Sequence, residues 1–221
     1  VRVLSPSVID ADTILASTAS VELNSDLTIA EGNELALIQG NSFSGTGTLT
    51  VPAKSRLEFP TSQVISGSLE IGGKIIGTGN SRSRMRVNGD VTFISGDEPS
   101  FWEMSIEGPA TNVLVNQQWD RITADGKANL SGTLFVAFDV PQAQKGDSWK
   151  VLQASEVEGK FDSLQIVGAL PDGAKMIQVI SQDGVYLKLV DEFTTYAEWE
   201  EAQNLPENGD EWHQNPDGDD F

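Results

Sequence analysis

The 221-residue chain contains no cysteine and only one histidine, His213. The absence of cysteine excludes a disulfide framework, a thiolate zinc site and a cysteine nucleophile. His213 lies in an acidic stretch, far in sequence from any serine that it could activate, which argues against a Ser-His-Asp hydrolase. Because the chain also lacks a phosphate-binding loop, a dinucleotide-binding glycine motif and a His-Glu-x-x-His motif, we expect no catalytic site.

Long apolar runs and basic residues are scarce as well. No stretch of 18 apolar residues occurs, so we expect no membrane insertion. Lys and Arg number 14 against 33 Asp and Glu, a net charge of -19, and this balance argues against nucleic acid as a partner. The chain begins with Val1 rather than Met, from which we expect a processed product or fragment whose leader has been removed.

The chain does contain a repeated sequence motif, an apolar-polar-apolar triplet preceded by turn residues. Six stretches carry it, namely 23–29, 45–51, 65–71, 87–93, 109–115 and 130–136. The first apolar residue of each triplet recurs after 20 to 22 residues, a period typical of a solenoid: Leu27, Leu49, Leu69, Val91, Val113 and Leu134.

The alternation within each triplet is that of a β-strand with one buried face. The first and third side chains of the triplet point to one face of a strand, and stacked coils would join these faces into a continuous core. A second register, Leu35/Leu37 and Leu57/Phe59, is also 22 residues apart and predicts a second sheet. The Gly, Asn, Ser and Asp before each triplet are predicted to be corner residues that tolerate tight or left-handed turns. The sequence therefore predicts an all-β, right-handed parallel β-helix, with a two-sheet sandwich as the alternative.

The pattern divides the chain into three segments. Residues 1–20 are predicted to be an N-terminal cap or an exchanged strand, because an open solenoid end exposes unpaired backbone. Residues 21–190 are predicted to form roughly six coils, with a capping section from about residue 111. Trp102 and Trp119 are predicted to plug the core or the cap. Residues 191–221 are predicted to form a short helix and an acidic, Asn/Asp-rich tail.

Several motifs in residues 111–190 carry a family resemblance. They are Trp-Asp-Arg-Ile at 119–122, Leu-Ser-Gly-Thr-Leu at 130–134, Lys-Gly-Asp-Ser-Trp-Lys-Val-Leu-Gln-Ala at 145–154, Val-Glu-Gly-Lys-Phe-Asp-Ser at 157–163 and Gly-Val-Tyr-Leu at 184–187. In this order they resemble the end of autotransporter-associated β-helix regions. The resemblance implies an extracellular β-helix whose stack is terminated by this section.

The acidic tail contains candidate calcium ligands. Residues 191–221 hold 11 of the acids and none of the Lys or Arg. Oxygen-bearing side chains at alternate positions of a glycine-containing loop suit a hard cation, and the candidates are Asp210, Asn215, Asp217 and Asp219. The stretch resembles the one that precedes thrombospondin type 3-like calcium repeats, in which a Tyr-x-x-Trp helix leads into an acidic run. Here Asn215 takes the place of the first Asp and the chain stops at Phe221, so an incomplete or weak site and a merely solvated tail both stay open.

Two groups of outward-facing residues form a candidate ligand face. The middle positions of four triplets are Thr28, Thr50, Glu70 and Thr92, which suit contact with a glycan or with ice, or stacking without function. The basic cluster is Arg82, Arg84 and Arg86, which suits an anionic-glycan patch, the outer face of a solvated strand, or a sheet edge guarded by charge.

These observations favour a non-catalytic, secreted bacterial protein of the cell surface. The predicted role is a rigid structural or adhesive module, or a fibre subunit, that associates with itself or with neighbouring surface-protein domains and binds calcium through its tail. The alternative is an extracellular domain that binds or cleaves polysaccharide, because such enzymes also use β-helices with carboxylates on their outer faces.

Overall fold

The described part of the chain is built entirely from strands. The computed structural model describes residues 1–60, 62–78, 82–94, 96–110 and 118–192. These residues form 23 strands in three sheets and no helix. Strands of successive coils pair in parallel in every sheet, so the predicted parallel β-helix is confirmed. The predicted C-terminal helix and acidic tail lie outside the described residues.

Each coil contributes one strand to each sheet in turn. Sheet A contains β1 (Arg2–Val3), β4 (Ser20–Leu23), β7 (Ser42–Gly45), β10 (Ser62–Ile65), β13 (Arg84–Val87), β16 (Arg121–Ala124), β19 (Ser148–Gln153), β23 (Gly184–Asp191) and β22 (Ala174–Ser181). Sheet B contains β2 (Ser7–Ile9), β5 (Leu27–Ile29), β8 (Thr48–Val51), β11 (Ser68–Ile71), β14 (Val91–Phe93), β17 (Lys127–Leu130) and β20 (Glu156–Gly159). Sheet C contains β3 (Thr13–Ile14), β6 (Glu34–Ala36), β9 (Arg56–Phe59), β12 (Lys74–Gly77), β15 (Phe101–Ile106), β18 (Thr133–Phe138) and β21 (Ser163–Val167).

The repeated triplets supply the buried face of sheet B. Leu27 is the register partner of Leu49, Leu49 of Leu69, and Leu69 of Val91, and all four side chains are buried. The second predicted register is also present, because its leucines pair between β6 and β9 in sheet C. Rows of stacked apolar side chains therefore join the coils into one continuous core.

Sheet A is a third face, which the repeated triplets do not reveal. The residues in its inward positions are less uniformly apolar than those of the other sheets. In β7, glycine takes the inward position after Phe43, at Gly45. In β10, the buried Gln63 takes the inward position before Ile65. The Gln63 amide donates to the carbonyl of Ile38 at 3.0 Å. A polar residue and a glycine in the inward row hide the alternation that marks the other two sheets.

Beyond Val91, the sheet B row departs from the predicted repeat. The register partner of Val91 is Ala128, 37 residues further along, so the triplet that begins at Val113 is not its neighbour, and residues 111–117 lie outside the described residues. Leu134 lies in β18 of sheet C. The cause is a 14-residue connection between β15 and β16, which no fixed period accommodates. Sheet B nevertheless has six strands after the first coil, in agreement with the predicted number.

The corners of the β-helix differ in length. From sheet A to sheet B, each coil uses two or three residues. From sheet C to sheet A, the connection between successive coils uses between two and 14 residues. The corner from B to C uses between two and seven residues. Most of the extra length of the longer coils therefore lies along the edge from C to A.

Glycine occupies the corner from A to B in four successive coils: Gly47, Gly67, Gly89 and Gly126. The N–H of Gly89 donates to the carbonyl of Gly67 at 3.0 Å, and the N–H of Gly126 donates to that of Gly89 at 3.1 Å. A Cβ atom on Gly67 would lie 1.7 Å from the carbonyl oxygen of Gly47. None of the four has a positive φ, so close approach of neighbouring coils, rather than a left-handed turn, explains these glycines. We call them the glycine column.

The N-terminal end of the stack is open. Strands β1, β2 and β3 each pair with a strand of the next coil, and each has a second edge with no partner strand among the described residues. Residues 1–20, predicted to be a cap or an exchanged strand, thus contribute one strand to every sheet and form the first coil. Such an edge presents unpaired N–H and C=O groups.

The other end is closed by a hairpin. Strand β23 pairs antiparallel with β19, and β22 pairs antiparallel with β23. The Gln178 amide donates to the carbonyl of Phe161 at 2.6 Å, which ties the hairpin to the last coil. The Phe161 ring is fully buried and packs against Phe93 and Trp102, with centroid distances of 5.1 and 6.1 Å.

Candidate functional site

The outward triplet positions form one row across sheet B. Thr28 is the register partner of Thr50, Thr50 of Glu70, and Glu70 of Thr92. Their side chains are half-buried, as expected for positions between neighbouring strands. The row continues to Asn129, whose amide donates to the Thr92 hydroxyl at 3.3 Å. Sequence reasoning missed Asn129 because the long coil before it shifts the period.

A groove of about 430 Å³ lies beside this row. Its lining includes Thr50 and Glu70 from the row, and Pro52, Ala53, Lys54, Gly72, Ile94, Gly96, Asp97 and Glu98 from the corner next to it. The Lys54 ammonium lies 2.9 Å from a Glu31 oxygen and 3.7 Å from a Glu98 oxygen. The hydrogen bond to Glu31, and the charges of Glu31 and Glu98, raise the pKa of Lys54. The groove therefore offers carboxylates and an ammonium group that suit the hydroxyl groups of a sugar.

The predicted basic cluster lies on a different face from the row of Thr and Glu. Arg84 and Arg86 are outward positions of β13 in sheet A, and Arg82 precedes that strand. Strand β13 lies in the middle of the sheet, between β10 and β16, so the cluster does not guard a sheet edge. The structure thus divides the candidate ligand face into two surfaces.

The structure adds a residue to the basic cluster. Arg121 on β16 is the register partner of Arg84, and Arg86 forms an ion pair with Asp125 at 2.9 Å. Sequence reasoning missed Arg121 because 37 residues separate it from Arg84 in the chain. A register count that allowed for the long connection would have found it.

The candidate calcium ligands lie outside the described residues. Asp210, Asn215, Asp217 and Asp219 therefore stay predictions, as does the calcium that they would bind. Within the described ranges, no group of three or more His, Cys, Asp and Glu side chains could hold a metal ion.

One carboxylate with an unusual environment lies inside the stack. Asp120 is fully buried at the end of the long connection before β16. Its oxygens accept from the N–H of Ser83 at 2.7 Å, and from the N–H and hydroxyl of Ser105 at 2.8 and 3.0 Å. A Cβ atom on Gly77 would lie 2.8 Å from an Asp120 oxygen. Asp120 thus fastens the connections before β13 and β16 to the stack, and it is not accessible to a ligand.

Burial raises the pKa of Asp120 to about 6, although hydrogen bonds from Ser105 and Ser83 oppose the shift. The folded pKa then lies above the unfolded value, so the contribution of this group to stability is full below about pH 4 and is lost as the pH rises through 6. We expect the free energy of unfolding of the wild type, relative to Asp120→Asn, to fall by about 2 kcal/mol between pH 4 and 6.5. Urea unfolding of both proteins across this range measures it, and parallel pH profiles would contradict it.

The described residues include no helix long and apolar enough to cross a membrane. A scan against protein-family models gives no match, and a search of curated proteins gives no significant match.

Proposed function

We propose that this chain is a non-catalytic, rigid β-helical module of a secreted bacterial surface protein, acting as a spacer, adhesive segment or fibre subunit. The observation that carries the proposal is the unbroken stacking of seven coils through three sheets and one core. Backbone hydrogen bonds join each coil to the next, so the rod resists bending and its length follows the number of coils. The resemblance of residues 111–190 to autotransporter-associated β-helix regions supports the extracellular location.

Self-association through the ends is part of this proposal. Eight large apolar side chains are exposed in the described chain, and seven lie near the two ends: Val1, Leu4, Val8 and Ile14 in the first coil, and Val167, Val179 and Ile180 on β21 and β22. The two antiparallel pairings at the closed end return β22 to the direction of β1. A second copy can therefore add its β1 to the free edge of β22 with the same parallel polarity as the pairings from β1 to β19.

Electron microscopy and light scattering over a concentration series test the proposal, with calcium and with chelator. We expect rods that lengthen with concentration, and a double substitution Val8→Lys/Ile14→Lys that leaves single short rods. The matched control is Val64→Lys, which alters an exposed valine in the middle of the stack. Lengthening that requires calcium would assign the acidic tail a role, whereas single short rods at all concentrations would contradict self-association.

A second candidate function is binding or cleavage of an extracellular polysaccharide. The groove beside Thr50 and Glu70 favours it, because the groove presents polar side chains along a row with a regular spacing. Retention on a polysaccharide column that is lost in Thr50→Val/Glu70→Gln would support this candidate, and release of reducing ends would show cleavage.

A further inference from the structure

Basic side chains are concentrated on the outer face of sheet A. The outward positions of β10, β13, β16 and β19 hold no Asp or Glu, although acids outnumber bases by 33 to 14 in the chain. Five basic residues project from β13, β16, β19 and β23, and we call them the basic strip: Arg84, Arg86, Arg121, Lys150 and Lys188. The strip is therefore a local exception to the acidic character of the protein.

Cations elsewhere on the stack lie against acids of the neighbouring coil. Arg56 pairs with Glu34 at 3.2 Å. Lys74 pairs with Glu103, and Lys127 pairs with Glu156, each at 2.6 Å. At one position of the basic strip two cations lie opposite each other instead, since the register partner of Arg84 on β13 is Arg121 on β16. Like charges directly opposite one another on adjacent strands are destabilising.

The surroundings of Arg121 destabilise its charged side chain further, in addition to the repulsion from Arg84. The side chain is half-buried, and one terminal nitrogen donates to the amide oxygen of Gln153. Its Nε is buried and has no hydrogen-bond partner among the described residues. Burial and the charge of Arg84 both lower the pKa of Arg121. Because an anion between the two guanidinium groups would offset the repulsion and satisfy donors, the site favours a carboxylate or sulfate group.

The strip has the shape of a track rather than a cavity. Its four strands are consecutive in sheet A, and a spacing of about 4.8 Å per strand gives a length of about 14 Å along the stack. Tyr186 on β23 lies on the same face, with its ring 5.2 Å from the Lys150 ammonium, and supplies an apolar surface with a polar tip. A linear polymer that carries anionic groups at intervals fits this layout.

We propose that the basic strip binds a linear anionic polysaccharide, with a carboxylate or sulfate group held between Arg84 and Arg121. Nucleic acid fits less well, because the strip contains only five cations, few for a polymer of such high charge density, and Arg86 and Lys150 lie against Asp125 and Asp183. The inference does not depend on association through the coil ends. It deepens the polysaccharide candidate, on which it rests, by giving the ligand class and a site away from the groove.

Chromatography of the full chain on heparin, polygalacturonate and dextran tests the proposal. We expect retention at low salt on a charged polymer but not on neutral dextran, and release by sodium chloride. Heparin and polygalacturonate distinguish a sulfate from a carboxylate ligand. Arg84→Gln/Arg121→Gln is expected to weaken binding by about tenfold or more, because charge-assisted hydrogen bonds are lost. The control is Arg2→Gln, which removes one arginine from the far end of the same sheet.

Thermal unfolding separates a binding role from a structural one. If the arginine pair serves a ligand, the double variant melts at the same or a higher temperature than the wild type, since removal of the pair relieves repulsion. A lower melting temperature with unchanged retention would identify the pair as structural and overturn the proposal. Absence of retention, or stronger binding of a single-stranded oligonucleotide, would also overturn it. Retention that is lost only in Thr50→Val/Glu70→Gln would overturn this site but leave the polysaccharide candidate standing.

Discussion

Leu69→Asp is expected to lower the free energy of unfolding by more than about 4 kcal/mol and to leave little folded protein. Leu69 is 1% exposed and lies between Leu49 and Val91 in the middle of sheet B. A carboxylate there would be buried among apolar side chains with no cation to pair with. Because each coil is held mainly by its two neighbours, the damage extends along the stack.

Thermal and urea unfolding measure the loss. Leu69→Ala, which removes volume without adding charge, is expected to cost about 2–5 kcal/mol and separates the effect of the cavity from that of the charge. The matched control is Thr28→Asp, which places the same charge on the outer face of the same sheet and should change stability by less than about 0.5 kcal/mol. A Leu69→Asp protein whose melting curve superimposes on that of the wild type would refute the core assignment.

Gly67→Ala is expected to cost at least about 3 kcal/mol, although it adds only a single methyl group, because Gly67 is buried against the neighbouring coil. The new Cβ atom would lie 1.7 Å from the Gly47 carbonyl oxygen. That carbonyl cannot move away freely, because it accepts the N–H of Ser68 at 3.2 Å. The substitution must therefore separate two coils at the corner where they approach most closely.

Gly32→Ala provides the matched comparison for the glycine column. Gly32 has a φ of +85° and no atom within 4 Å of an added Cβ, whereas Gly67 has no positive φ and no space. The strain at Gly32 is confined to the backbone and is expected to cost about 1–2 kcal/mol. Urea unfolding of both variants tests the distinction, and a larger loss for Gly32→Ala would show that turn conformation, rather than contact between coils, explains these glycines.

The parts of the fold that sequence reasoning predicts are those in which one residue type recurs at one interval. Leu27, Leu49 and Leu69 follow one another by 20 or 22 residues because their coils have corners of nearly constant length. The prediction is wrong at Leu134, since the long connection before β16 changes the spacing without changing the residue pattern. When residues are added at one corner, the strands of neighbouring coils still pair in the same way. The sequence spacing between the paired residues, however, is no longer constant.

In the candidate site, too, features that follow from a local sequence pattern are predictable, whereas contacts between distant segments are not. The row of Thr28, Thr50, Glu70 and Thr92 is predictable because it alternates with the triplets. The juxtaposition of Arg84 with Arg121 is not, because it depends on which strands become neighbours across the long connection. The raised pKa of Asp120 is also invisible in sequence, since its cause is burial by segments distant in the chain.

The unequal corners define where this protein tolerates new sequence. Peptides grafted into the connections from sheet C to sheet A would project from a single edge of the rod, because the stack already accommodates between two and 14 residues there. The glycine column on the corner from A to B leaves no such freedom. The fold can therefore display inserted peptides in a line along one side while the strand pairing of every coil is retained.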